Sequence, residues 1–307
     1  MENKHNKRSD KNIISVNTSD VEPSNNLDRK CAPGILFESG SCIKLHILIE
    51  MATAYNNSVP EGKIKLYSDI ETLNPKKYKK YLLKEIKNKT GDKCTSQFCW
   101  TQQKFIDQMN TSVQLELKKF TFRPNGPQGK FEWLNTFNID DSMSQTEATH
   151  KDFKYLGTVP MDFNDFTRYG IKDINYSKLV DEGKTKIGVV FNLDDHDQPG
   201  SHWVSMYSDL MKGGVYYFDS YGLRPEKRVR NLMRKISGFC KNDLKITNVV
   251  ATHNKIRHQY KNSECGVYSM NFIKRMLRGD DFQQICKSKT SDEKINKCRN
   301  IYFRNNV

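Results

Sequence analysis

No stretch of this chain reaches the ~18 consecutive apolar residues that a membrane-spanning helix requires. The longest apolar stretch, 42–55, is interrupted by Lys44, His46 and Glu50, and reads as an amphipathic helix. The opening MENKHNKRSDKN is charged and has no apolar segment behind it, so it lacks the pattern of a secretory signal. A reducing compartment is the expectation that follows, with the eight cysteines mostly thiols. None of them forms a Cys-x-x-Cys pair, and Cys94 and Cys99 lack a second Cys or His pair to complete a tetrahedral zinc site. No metal or cofactor is called for, and no internal repeat is visible.

Acidic residues are also in deficit, 36 against 50 Lys and Arg, leaving a net charge of +14 over 307 residues. That balance favours anionic surroundings, such as weakly held nucleic acid, an acidic partner or an anionic membrane face. No basic stripe interleaved with aromatics accompanies it, so a solvated basic surface is the plainer reading.

What is present suffices for a folded core, since 36% of the residues are hydrophobic. Residues 1–30 stand apart, with almost no large apolar side chains, and read as a mobile polar tail. A mainly helical lobe follows over 31–125. Its clearest helix begins at Asn74-Pro75, with Asn as the cap and Pro in the first turn, and continues through Tyr78, Leu82 and Ile86. A second helix is predicted over 98–109. The run RPNGPQGK, 123–130, holds two prolines and two glycines and marks a boundary.

From 126 to 307 the pattern alternates. A turn leads into a helix over 133–150, and 186–192, 202–208, 215–219 and 246–252 read as strands. Residues 225–240 carry one apolar face, from Val229 to Phe239. The segment 265–278 is apolar nearly all round and reads as a central buried helix.

Cys265 heads that last segment, followed by Gly266. A helix N-terminus carries partial positive charge and unpaired N–H groups, which favour a thiolate and can hold an oxyanion. Gly266 removes a side chain where a substrate would approach. Most free cysteines are simply small buried hydrophobes, so partners decide the matter. A cysteine nucleophile needs a histidine to take its proton and a third group to hold that histidine. Gly-Ser-His202-Trp-Val puts a histidine at the start of one predicted strand, and Tyr-Tyr-Phe-Asp219-Ser-Tyr-Gly puts a carboxylate at the end of the next. Antiparallel pairing would bring them side by side. The same residues also suit a structural strand histidine and a turn-capping Asp. His196, His253 and His258 read as loop histidines.

These motifs, in this order, resemble the ubiquitin-like-protein protease clan, which holds the SUMO proteases, the adenovirus protease and the polyprotein proteases of large DNA viruses such as African swine fever virus. The resemblance spans 130–307. It implies an α+β fold of papain type, in which a central mixed or antiparallel sheet packs on a buried helix headed by the nucleophile. It assigns His202 as base, Asp219 as its orienter, Cys265 as nucleophile and Gln259 as oxyanion donor. Asp219 follows the SUMO-protease pattern, whereas the swine fever virus enzyme is described with Asn. Trp133-Leu-Asn resembles the opening motif of the catalytic domain. Trp133 and Trp203 would then wall a tunnel that only glycine can enter, with Gly266 beside it. The segment CAPGILFESGSCIKLHILIEMATAYN resembles the N-terminal regions of giant-virus thiol proteases.

The implied activity is a cysteine endopeptidase cutting after Gly-Gly in viral structural polyproteins, in the virion and the host cytoplasm. Removal of SUMO-like or ubiquitin-like modifiers is the alternative. A basic, nucleic-acid-associated virion protein with an inert protease fold is a third.

Overall fold

The computed structural model describes residues 27–67, 74–91 and 93–305. Two compact units emerge. One comprises the described residues up to Asn125 together with residues 303–305, and the other spans Gly126–Tyr302.

The first unit is helical. Helices α1 (Leu45–Ser58), α2 (Pro75–Thr90) and α3 (Thr111–Phe120) supply Ile47, Leu48, Met51, Leu82, Ile86 and Leu117 to one core. Asn74 caps α2 by accepting from the N–H groups of Lys76 and Lys77. The helix predicted over 98–109 is replaced by a turn at Gln97–Trp100 and a 3-10 turn at Lys104–Gln108. Local hydrogen bonds account for the break: the Trp100 indole donates back to the Cys94 carbonyl, and the Gln103 amide to Cys99. The expectation of thiols also needs correction. Cys31 pairs with Cys42 and Cys94 with Cys99 as disulfides, while Cys240, Cys265, Cys286 and Cys298 are free and buried. Arg304 completes this unit, its guanidinium 3.6 Å from the Phe98 ring centre and its Nη2 donating to Asn125.

The second unit is α+β. Helix α4 (Thr136–Thr149) leads into β1 (Phe153–Val159), which then pairs in parallel with β2 (Lys186–Asn192). Strand β3 (Trp203–Asp209) runs antiparallel to β2 and to β4 (Gly214–Phe218). Helix α5 (Lys227–Asn242) follows, then β5 (Val250–His253), parallel to β4, and α6 (Cys265–Leu277), after which come short helices at Phe282–Lys287, Asp292–Asn296 and Arg299–Tyr302. The sheet order is β1-β2-β3-β4-β5, a mixed sheet.

Side-chain alternation along the strands divides the core. Val189, Val204, Met206, Val215 and Tyr217 join Val229, Leu232 and Ile236 of α5 on one face. On the other, Phe218 stacks on Phe272 of α6, and a Cβ on Gly188 would meet Ile273 of α6 at 3.2 Å and Phe153 at 2.7 Å. Every residue of α6 except Lys274 is buried, as its all-round apolar pattern requires. Strand β1 escaped the sequence reading because its alternation is broken at Gly157, where φ is +106° and the pairing with β2 shifts register.

A buried ion pair underlies the start of α6. Glu264, at its N-cap, accepts from Arg299 Nε at 3.0 Å and Nη2 at 3.2 Å, and from Asn296 at 2.9 Å and Ser263 at 3.0 Å. Both charged side chains are 1% exposed. Removing one partner strands the other charge in the interior. Arg299→Met should therefore lower unfolding stability by about 3 kcal/mol, measured by urea denaturation. A change within a few tenths would show the pair to be dispensable.

Candidate active site

Strand pairing brings the predicted residues together. Ser205 of β3 faces Phe218 of β4, so His202 before one strand and Asp219 after the other converge. His202 Nε2 lies 2.7 Å from Asp219 Oδ1. Cys265 lies near enough to the imidazole to raise its pKa. The three groups are 6%, 1% and 1% exposed, withdrawn from water, where charge–charge interactions strengthen.

Asp219 is held from several directions. Its carboxylate accepts the backbone N–H groups of Tyr221 at 2.9 Å and Leu223 at 3.2 Å, consistent with the turn Asp-Ser-Tyr-Gly. Asn254, which the sequence reading missed, clamps its backbone: Oδ1 accepts the Asp219 N–H at 3.0 Å, and Nδ2 donates to the Asp219 carbonyl at 2.9 Å. Nothing local flags Asn254, because its partner is 35 residues away.

Burial alone would depress the His202 pKa, but the hydrogen bonds to Asp219 and Cys265, and the negative charges of both, raise it to about 9. The imidazolium is thus retained well above the ordinary 6.5. Tyr221 adds a stacked ring, its centre 4.4 Å from that of His202 and its plane within 8° of parallel.

Gln259 is fully buried. Its Oε1 accepts from Ser220 Oγ at 2.6 Å, and its Nε2 donates to the Lys261 carbonyl at 2.6 Å. Ser220 adjoins Asp219, and its carbonyl accepts the N–H groups of His258 and Gln259. The glutamine is thereby tied to the Asp219 turn, and its amide keeps a second hydrogen beyond the one given to Lys261. His258 lies in a loop, as expected, but is buried. It is 3% exposed, its Nε2 meets the Cys286 carbonyl at 3.0 Å, and burial pushes its pKa down, so the neutral ring donates there. His196 pairs with Asp162 at 2.6 Å, and His253 is partly buried.

A cavity of about 580 Å³ has Trp133, Leu156, Asn192, His196, Gly200 and Trp203 in its lining, whereas His202, Asp219, Gln259 and Cys265 do not line it. Trp133 is 43% exposed, while Trp203 is 6% exposed and donates its indole N–H to the Leu134 carbonyl at 2.8 Å. Gly200, at φ +91°, makes the turn before His202; Asn192 Oδ1 receives the Ser201 N–H and so pins that turn rather than the imidazole. Gly266 departs from the expectation of a place for substrate. A Cβ there would meet Leu134 at 3.1 Å and Ile139 at 3.3 Å, so the missing side chain makes room for the protein's own core. Leu134 thus links Trp133, Trp203 and the first turn of α6. Among the described residues no cluster of His, Cys, Asp or Glu suits a metal ion.

Residues 182–305 match the model of the Ulp1 protease family, C-terminal catalytic domain. A thiol protease of Acanthamoeba polyphaga mimivirus is 39% identical over 274 residues, covering 87% of this chain and 90% of that one. The chain belongs to this cysteine protease family. A cysteine protease of African swine fever virus is 28% identical over 256 residues, 75% of this chain and 90% of the relative. The crystal structure of the African swine fever virus protease shares the fold, with a TM-score of 0.56, at 24% identity over 81% of this chain and 94% of that one. As a Ulp1-type cysteine protease, the chain has a nucleophile to be identified, and Cys265 is the free cysteine among the described residues that acts on the His202 pKa.

The raised His202 pKa makes a titration prediction. Its folded value of about 9 exceeds the ordinary 6.5, so the stabilisation it brings is full below about 6.5 and is lost as pH rises through 9. NMR of the imidazole should show a midpoint near 9, and Asp219→Asn should lower it by about one unit or more. A midpoint near 6.5 in the unmodified protein would refute this electrostatic account.

Proposed function

We propose that this cysteine protease is an endopeptidase that cuts after Gly-Gly in structural polyproteins of a large DNA virus, within the virion and the host cytoplasm. The observation that carries this reading is the pair of indoles, Trp133 and Trp203, lining one cavity, with Trp203 directly following His202 in the chain. Flat aromatic walls pass a peptide backbone and leave no room for a Cβ, which glycine alone lacks. Held between rings, a flexible Gly-Gly segment also acquires the orientation that attack requires.

In this mechanism the Cys265 thiolate attacks the carbonyl carbon of the second glycine. Gln259 Nε2–H and the Cys265 backbone N–H hold the oxyanion, the latter as an unpaired donor of the first helical turn. His202, already protonated, gives its proton to the leaving amine as the C–N bond breaks, and a thioester remains. The neutral imidazole then takes a proton from water, whose oxygen attacks the thioester. Collapse of the second oxyanion releases the carboxylic acid and restores the thiolate. Asp219 orients the ring throughout and stabilises the imidazolium.

Relatives from African swine fever virus carry the name SUMO-1 cysteine protease, which keeps modifier removal as the rival substrate class. Matched peptides test the Gly-Gly reading. Gly-Gly before the cut should exceed Ala-Ala by at least about a hundredfold in kcat/KM, the loss a slight misplacement of reacting groups brings. Trp203→Ala should narrow that gap chiefly by slowing Gly-Gly cleavage. Equal cleavage of the two peptides would overturn the reading. Cys265→Ala should abolish turnover, and Asp219→Asn should cost less than His202→Ala, because Asn still orients an imidazole.

A further inference from the structure

Beyond the two tryptophans, His202 has a second flank. Tyr221 stacks on its imidazole, and the Arg257 guanidinium lies 5.0 Å from the Tyr221 ring centre and 5.1 Å from that of Tyr260. Arg257 is exposed, and its Nε donates to the Gln259 carbonyl at 2.7 Å. Among the described residues no carboxylate pairs with Arg257, and no hydrogen bond is made by its two terminal nitrogens. A guanidinium packed against aromatic rings through its π-face keeps its in-plane N–H donors free, in the fork that matches a carboxylate. Tyr221, Arg257 and Tyr260 are all absent from the lining of the cavity that holds Trp133 and Trp203. The flank still lies within electrostatic range of the nucleophile. Burial raises the Tyr221 pKa most, Cys265 raises it further, and Arg257 lowers it.

We infer that Arg257 is a specificity-determining residue that binds a carboxylate side chain on the substrate just after the scissile bond. The inference rests on the Gly-Gly reading. If the residues before the cut fill the tryptophan cavity, the leaving segment departs past His202, which protonates its amine, and meets the Tyr221 and Arg257 flank. The positive charge there attracts Asp or Glu and repels Lys or Arg.

The test uses the full chain and quenched-fluorescence peptides that share one sequence through Gly-Gly and carry Glu, Gln or Lys in the two positions after it. A Gly-Gly-aminocoumarin reporter, with no residue after the cut, serves as reference. At low ionic strength Glu should exceed Lys by about tenfold in kcat/KM. Arg257→Gln should bring the two within about twofold, and Arg257→Glu should invert the order. A residue that merely braces the Gln259 carbonyl would, when replaced, slow every peptide and the reporter by one common factor. That outcome overturns the inference, as does equal cleavage of the Glu and Lys peptides by an unmodified enzyme that turns over the reporter. An enzyme that leaves the reporter uncut overturns the Gly-Gly reading and this inference together.

Discussion

The antiparallel pairing of β3 with β4 is the constraint from which the active-site geometry follows. It sets the start of one strand beside the end of its neighbour, and the 2.7 Å contact between His202 and Asp219 is its chemical result. A slip by one residue would turn each side chain to the opposite face and separate the pair. Register is protected on both faces, by the α5 core against Val204 and Met206, and by α6 against the other. The same packing that excludes water from the core fixes the distance between His202 and Asp219.

Burying charge is costly unless it is paired and hydrogen-bonded. The site meets this cost at two neighbouring points. Asp219 gathers a histidine and two backbone N–H groups, and Glu264 gathers Arg299, Asn296 and Ser263. Glu264 precedes Cys265 directly, so the network that neutralises it also fixes where α6 begins. The position of the helix and that of the Cys265 thiol are then one mechanical unit.

Residues whose chemistry depends on short-range pattern were legible in the sequence. The bounds of β2, the capping of α2 by Asn74 and the all-buried character of α6 follow from local pattern and composition. His202, Asp219 and Cys265 could be nominated because each stands at an element's edge with a motif around it. Residues that act through distant partners were not legible. Asn254 clamps Asp219 from 35 positions away, and Arg299 reaches Glu264 from 35. Gly266 was misjudged for a related reason: what occupies the space over it is Leu134, from another part of the chain. The disulfides Cys31–Cys42 and Cys94–Cys99 were missed because the compartment argument concerns surroundings, whereas pairing is decided by the proximity that folding creates.

The first unit is assembled from two stretches that lie far apart in the sequence. Phe303 is fully buried, and Arg304 joins its backbone N–H to the Pro124 carbonyl and its guanidinium to Phe98. A ribosome delivers residues in order, so everything from Gly126 to Tyr302 has been synthesised before that helical unit receives its last pieces. The helical segment is thus the one that waits, and it can finish only once Phe303 and Arg304 have been made.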